Sequence, residues 1–424
     1  MGLWRAAAAL YLAADRGVPG DRRGQARPRA LKNGALAATV LGLWLMARML
    51  GGDRRVALVA SLGVVLLPAT AWEAQNSQTH SVLALTMAVW AMLAAVRAER
   101  RGGLADYALL GVALGLGLLA KGTFAFLGLG IVAALALRGA GLARIAVALA
   151  VMAAVIARPA VWAIRNWGLT TVDTYKFKME DEGGVLTALE GVAALGQAVG
   201  AGAGLAVAAA LIVVLTRRAE GPAGPDARLV EWSLGLGLAT VAVAVLAAGG
   251  TEVKERWLQP LTILLPLVLA CRLAPRLAPP VLKVFAGLAA VLALALLIGV
   301  GANMRLGGKN PPYQAGPFAA AAAGLPGEIL AADFYLAGNL RLARPDLAVK
   351  VPKMRLMPVA PAPVAAVWWA RDDAARAMPG DLVALLAAEG LAAGAATVDA
   401  LPYPPPHEAR VFHLHTAPLA DADN

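Results

Sequence analysis

Five polar side chains stand where long apolar blocks of this sequence begin or end. Lys121 separates two apolar blocks, Lys254 and Arg256 precede another, and Glu73 and His80 precede a third. Cations at such positions can stabilise an anionic group, and arginine can bind a phosphate through two parallel hydrogen bonds. A carboxylate can act as a general base. The pattern indicates an anion site at the ends of apolar segments, with Glu73 as the candidate base.

Each of these residues also has an ordinary structural interpretation. A lysine or arginine beside an apolar segment can extend its charge to a membrane interface, which applies to Lys121, Lys254 and Arg256. His80 could cap a helix, and Glu73 could stabilise its loop. The sequence leaves both interpretations open.

The composition sets the class of protein that must position these groups. Of 424 residues, 59% are hydrophobic and only 15% are charged, whereas soluble domains carry about 25% charged residues. The mean hydropathy is +0.67. These values argue against a soluble enzyme and against a disordered chain. The single cysteine, Cys271, excludes an intramolecular disulfide, and the four histidines are too scattered for a metal motif.

The net charge of +11 does not indicate a nucleic-acid partner. The basic residues occupy short loops between apolar blocks, as the positive-inside rule expects of cytoplasmic loops. Membrane lipid is therefore the expected surroundings of the chain.

The apolar blocks predict about ten membrane spans. A single helix over residues 104–137 would be about 50 Å long at 1.5 Å per residue, but the hydrocarbon core is about 30 Å thick. The chain must therefore turn at Lys121-Gly122, its only polar break there. The candidates are residues 33–50, 56–72, 81–96, 104–120, 122–137, 142–164, 191–215, 229–249, 257–273 and 280–301.

Loop charge predicts the orientation of these spans. Basic loops alternate with loops that are poorer in lysine and arginine, and the positive-inside rule places the basic set in the cytoplasm. The loops around residues 72–80, 121, 166–190 and 250–256 then face outward. The cationic residues that define the basic set are Arg54, Arg55, Arg97, Arg100, Arg101, Arg138, Arg144, Arg217, Arg218, Arg228, Arg272, Arg276 and Lys283.

The segment after the last span, residues 303–424, predicts a small α/β domain outside the membrane. Its apolar runs are short and are interrupted by proline and glycine, and strand patterns alternate with helical ones. We expect strands at residues 328–332, 348–351, 364–370, 396–400 and 410–415, and helices at 335–343 and 381–388.

The first 32 residues do not fit this scheme. The parity of the spans places them outside, yet Arg16, Arg22, Arg23, Arg27, Arg29 and Lys32 would normally hold such a segment inside. One interpretation is a weak signal peptide over residues 1–14. The other, which we favour, is an abnormal or truncated start.

Several short motifs resemble one family of bacterial membrane proteins. They are Trp72-Glu73-Ala74-Gln75, Thr79-His80-Ser81-Val82-Leu83, Gly115-Leu116-Gly117-Leu118-Leu119-Ala120-Lys121, Lys254-Glu255-Arg256-Trp257-Leu258-Gln259-Pro260-Leu261 and Leu336-Ala337-Gly338-Asn339-Leu340-Arg341-Leu342. Together they are similar to bacterial glycosyltransferase family 39, of the membrane-embedded GT-C class. Protein O-mannosyltransferases and lipid A aminoarabinose transferases belong to the same class.

The resemblance implies a reaction and a location. Such enzymes lie in the bacterial inner membrane and transfer a sugar from a polyprenyl-phosphate carrier to a periplasmic lipid, glycan or protein. Lys121, Lys254, Arg256 and His80 would then bind the donor, and Glu73 would be the base. Some GT-C enzymes bind a divalent cation, but no ligand motif for such a cofactor is seen in this sequence.

Two further functions are kept as alternatives. The family's usual first-loop carboxylate has no match in residues 15–32, which favours a degenerate, inactive member. A transporter or flippase of lipid-linked substrates would place charges or a broken helix in the membrane interior, and Arg158-Pro159 is the position to inspect.

Overall fold

The computed structural model describes residues 22–76, 79–167, 185–306, 316–352, 363–371, 373–404 and 410–421. The chain forms two compact units, Met1–Leu297 and Ile298–Asn424. The first unit is helical, and the second contains a β-sheet. Most of the unusual basic segment, residues 1–32, lies outside the described residues.

Helices of very unequal length build the first unit. They are α1 (Arg22–Met49), α2 (Arg54–Leu62), α3 (Pro68–Asn76), α4 (Thr79–Arg101), α5 (Leu104–Ala120), α6 (Phe124–Leu137), α7 (Leu142–Arg165), α8 (Val185–Thr216), α9 (Arg228–Ala247), α10 (Gln259–Thr262), α11 (Leu265–Leu273) and α12 (Pro279–Leu306), which continues into the second unit.

Six helices within the described residues are long and apolar enough to cross a membrane, so ten spans are not confirmed. The six segments are Ala30–Met49, His80–Arg101, Leu142–Arg165, Leu186–Thr216, Arg228–Ala247 and Pro279–Ala302. Each corresponds to one of the ten candidates.

The other four candidates form shorter elements. Residues 104–137 contain two apolar helices of 17 and 14 residues, with the chain turning after Ala120 as predicted. The sequence predicts one helix over residues 56–72 and one over residues 257–273, but the structure divides each range into several elements. A 3-10 segment, Gly63–Leu66, separates α2 from α3, and prolines stand in the first turns of α10 and α11. Proline suits a helix start because it has no N–H to donate.

Glycines allow the helices of the first unit to approach closely. A Cβ added at Gly130 of α6 would lie 2.2 Å from the carbonyl oxygen of Ser233 in α9, and one at Gly111 of α5 would lie 2.3 Å from that of Ala148 in α7. Since lipid supplies no hydrophobic drive between helices, close van der Waals packing of this kind holds membrane helices together.

Ion pairs join helices at the basic end of the bundle. Arg97 Nε lies 2.5 Å from Asp106. Arg138 pairs with Glu99, and Arg272 pairs with Glu231. These contacts use part of the positive charge at the ends of α4, α6 and α11.

The second unit is built around a mixed six-stranded sheet. Strands β1, β2 and β3 run parallel, and β6 is antiparallel to β3, β4 and β5. The order is β2-β1-β3-β6-β4, with β5 also paired to β6. The strands are β1 (Glu328–Ala331), β2 (Ala348–Lys350), β3 (Ala365–Arg371), β4 (Leu391–Ala393), β5 (Thr397–Pro402) and β6 (Val411–Asp421).

Helices cover both faces of this sheet. Val367 of β3 packs in one apolar cluster with Phe318 and Leu336, whereas its neighbour Trp368 packs in another with Leu382. Alternation of this kind follows from the two-residue period of a strand. The covering helices are α13 (Phe318–Ala323), α14 (Phe334–Ala343) and α15 (Gly380–Ala388).

One buried histidine contributes to the second cluster. The ring of His415 stacks on Trp368 with centroids 5.1 Å apart, and burial lowers the pKa of its imidazole. Because desolvation disfavours the charged form, the neutral ring is the species that packs there.

Gly130→Val should weaken the packing of α6 against α9. The added atoms would meet backbone 2.2 Å away, and overpacking of this kind typically costs about 1–3 kcal/mol. We expect a lower thermal unfolding midpoint for the purified chain in detergent. Gly128→Val is the matched control, since its Cβ would meet only side chains at 3.6 Å and beyond. Equal midpoints for the two variants would contradict this account.

Candidate functional site

The turn after α5 positions Lys121. Lys121 has an extended backbone, and its N–H donates to the carbonyl of Gly117. A Cβ at Gly117 would lie 2.3 Å from the ring of Phe124, so only glycine lets that ring pack against the end of α5. Gly115 likewise approaches the side chain of Val155 in α7. The two glycines are thus packing residues, as the sequence indicates.

The ammonium of Lys121 joins three segments of the chain. Its Nζ donates to the hydroxyl of Ser81 in α4 at 3.1 Å and to the backbone carbonyl of Arg256 at 2.6 Å. Lys121 and Arg256 are 135 residues apart in sequence. The fold therefore brings the backbone of Arg256 to the side chain of Lys121.

His80 belongs to the same cluster. It lies in the first turn of α4 beside Ser81 and is partly buried. The positive charges of Lys121 and Arg256 both act on its ring. The structure thus brings His80 close to the charges of Lys121 and Arg256.

Arg256 lies in a 3-10 turn, Glu255–Trp257, that precedes α10. This residue is partly buried. Within the described part of the chain its guanidinium forms no ion pair, since the contact with Lys121 uses its carbonyl oxygen. A partly desolvated guanidinium without an acidic partner is suited to bind a phosphate through two parallel hydrogen bonds.

Lys254 has a different environment from Arg256. Its Nζ lies 3.0 Å from Glu252, and the two side chains are 36% and 31% exposed. Lys254 can add positive potential, but its charge is already balanced by a neighbour. An ion pair this open to solvent contributes little to stability.

Glu73 lies in α3, which packs against the 3-10 turn that carries Arg256. The helix that carries Glu73 therefore contacts the turn that carries Arg256. The structure does not describe its side chain, and its role as a base stays a prediction.

The described residues contain no group of three or more histidine, cysteine, aspartate or glutamate side chains that could hold a metal ion. Neither the sequence nor the described residues therefore identify a cofactor for this chain.

Sequence reasoning did not single out Ser81. Its hydroxyl accepts a hydrogen bond from Lys121, and the residue stands next to His80 in the motif Thr79-His80-Ser81-Val82-Leu83. A serine one position after a candidate residue gives little signal, because serine is common in the first turn of a helix for capping reasons.

The transporter alternative depended on a break at Pro159. Helix α7 continues through Pro159 to Arg165, so no break is found there. Arg158 remains a charged residue within this apolar helix.

The cationic cluster thus lies at the ends of apolar helices of the first unit. Residues 33–164 match the family model described as dolichyl-phosphate-mannose-protein mannosyltransferase. This segment runs from α1 to α7 and includes His80 and Lys121. The chain belongs to this glycosyltransferase family.

Two characterised relatives extend the match over most of the chain. The lipopolysaccharide core galacturonosyltransferase RgtB of Rhizobium johnstonii is 30% identical over 396 residues, which cover 88% of this chain and 80% of the relative. The lipopolysaccharide core galacturonosyltransferase RgtA of the same organism is 28% identical over 406 residues, with the same coverage. No solved structure matches the chain.

Lys121→Met should loosen the segment that carries Arg256. The substitution leaves a partly buried carbonyl without its donor, which costs about 1–3 kcal/mol. We expect faster amide hydrogen exchange at Trp257 and Leu258, whose N–H groups close the turn on Lys254 and Glu255. Lys254→Met is the control, because it removes only a solvent-exposed pair. Unchanged exchange in Lys121→Met would mean that the contact does not hold the turn.

Proposed function

We propose that the chain transfers a sugar from a polyprenyl-phosphate carrier to an acceptor of the lipopolysaccharide core. The observation that carries the proposal is the convergence of His80, Lys121 and Arg256 at the ends of three apolar segments. A carrier of this kind keeps its chain in lipid and presents its phosphate at the surface. Cations placed at helix ends meet that phosphate without entering the hydrocarbon core.

The residues of the cluster have distinct parts in the proposal. The Arg256 guanidinium binds the carrier phosphate and stabilises the charge that grows as the sugar–phosphate bond breaks. Lys121 holds the Arg256 turn in place and adds positive potential. His80 and Lys254 line the donor site beside them.

The acceptor hydroxyl must lose its proton as it bonds to the sugar. We assign this proton to the carboxylate of Glu73, because α3 packs against the Arg256 turn. The bond from the sugar to phosphate breaks, a bond to the acceptor oxygen forms, and the carrier leaves as a phosphate.

The names of the two relatives favour a uronic acid as the sugar. A galacturonosyl group carries a carboxylate in addition to the carrier phosphate, so its donor brings two anionic groups to the site. Partial desolvation raises the cost of unpaired charge. More than one cation is then needed, and the cluster offers Lys121, Arg256, Lys254 and His80.

The proposal also places the reaction on the periplasmic side of a bacterial inner membrane. The cationic cluster lies at the loops that are poorer in lysine and arginine, and the basic loops lie at the other ends of the same helices. Under the positive-inside rule the cluster then faces the periplasm. The second unit would follow it there.

Arg256→Gln should weaken donor binding by about 10-fold to 150-fold. One charge-assisted hydrogen bond contributes about 1.5–3 kcal/mol, and 1.4 kcal/mol is a tenfold change in affinity. The measurement is binding of radiolabelled polyprenyl-phosphate galacturonic acid to the purified chain. Arg165→Gln is the control, since Arg165 is an exposed arginine at the end of α7. Equal losses in the two variants would remove Arg256 from the donor site.

Product formation separates an active enzyme from an inactive member. Glu73→Gln should retain donor binding but lower turnover by about 100-fold to 10,000-fold, the usual contribution of a general base. Glu190→Gln, at an exposed position in α8, should leave both unchanged. Donor binding without turnover in the parent chain would favour the degenerate alternative, and full turnover in Glu73→Gln would exclude Glu73 as the base.

Reporter fusions should reveal the orientation. A fusion after Arg101 or Arg218 should report the cytoplasm, because both residues belong to the basic loops. A fusion after Gly308 should report the periplasm. A cytoplasmic signal at Gly308 would overturn the orientation and the periplasmic reaction with it.

A further inference from the structure

An apolar cavity lies in the first unit, apart from the cationic cluster. Its volume is about 340 Å³, and α2, α8, α11 and α12 line it. Ligand sites commonly span about 300–1,000 Å³. The lining is aliphatic and aromatic except at one end, where Thr216 and Arg217 stand.

The charged end of this cavity is remote from the cationic cluster along α8. A Cβ at Gly202 would lie 3.9 Å from Glu255, the residue next to Arg256. Arg217 follows Gly202 by 15 positions, which corresponds to about 22 Å along a helix. The charged end of the cavity is therefore at the opposite end of α8 from Arg256.

Arginines are gathered at this end of the cavity. Arg276 Nε donates to the carbonyl of Arg217 at 3.2 Å, which holds the two residues together. Arg55 donates to the carbonyl of Leu277, a lining residue, at 3.5 Å. Arg55 lies 3.9 Å from Asp53. Among the described residues, Arg217 and Arg276 form no ion pair, in contrast to Arg97, Arg138 and Arg272 of the same basic end.

We propose that this cavity binds an anionic phospholipid, with one acyl chain in the cavity and the phosphate beside Arg217. The apolar lining matches a hydrocarbon chain, and the arginines that lack an acidic partner match a negative headgroup. Two of the apolar lining residues, Ile212 of α8 and Val284 of α12, are also exposed, so an acyl chain can enter the cavity from the surface of the helical unit. The headgroup lies at the basic end, so the lipid belongs to the leaflet opposite the cationic cluster.

Lipid binding to the purified full-length chain tests this site. Native mass spectrometry would compare phosphatidylglycerol with phosphatidylcholine of the same acyl chains. Both lipids carry a phosphate, but the quaternary ammonium of phosphatidylcholine compensates its charge and is repelled by the arginines. Phosphatidylglycerol should therefore bind about tenfold more tightly, the factor that corresponds to one charge-assisted contact. Arg217→Gln should remove this preference, and Ala209→Phe, which fills the cavity, should weaken both lipids.

Matched variants make the outcome specific. Arg218→Gln and Ala208→Phe alter exposed neighbours that do not line the cavity, so both should retain the parent preference. Equal binding of the two lipids by the parent, or equal effects of Arg217→Gln and Arg218→Gln, would overturn the proposal. Displacement of phosphatidylglycerol by equimolar polyprenyl monophosphate, in the parent but not in Arg217→Gln, would overturn it in favour of the carrier.

Discussion

The contacts of one ammonium group hold the candidate site together. Lys121 reaches a hydroxyl in α4 and a carbonyl in the turn before α10, so three segments that are distant in sequence meet at one atom. A partly buried backbone carbonyl loses water partners and needs a donor within the protein. A turn with an unmet carbonyl would therefore be costly, and the lysine removes that cost while keeping a positive charge beside His80.

The position of Lys121 depends in turn on glycine. Gly111 and Gly115 bring α5 against α7, and Gly117 admits the ring of Phe124. The helix can then end at Ala120 and return as α6 within a short turn. Small residues thus fix where the polar group stands, although they contribute no chemistry themselves.

Some features of the helical unit and of the sheet could be predicted from the sequence, and others could not. The turn at Lys121 was predictable because hydrocarbon thickness limits the length of a helix. Most strands of the second unit were predictable because their apolar runs are bounded by glycine and proline. Strand β4 was missed, since three mostly exposed residues show no alternation and pair only with the end of β6. The broken segments at residues 56–72 and 257–273 were missed because hydropathy counts apolar residues and does not register where prolines restart a helix.

The two ends of the helical unit differ in how their charges are satisfied. At the basic end, Arg97, Arg138 and Arg272 have acidic partners that join neighbouring helices, which makes those arginines part of the packing. At the other end, the Lys121 ammonium donates to the Ser81 hydroxyl and to the Arg256 carbonyl, and both of these acceptors are uncharged. A neutral acceptor orients a cation without neutralising it, whereas a carboxylate does both. These two acceptors therefore orient Lys121 toward the turn that carries Arg256, and at the basic end Arg276 uses a neutral acceptor in the same way, the carbonyl of Arg217.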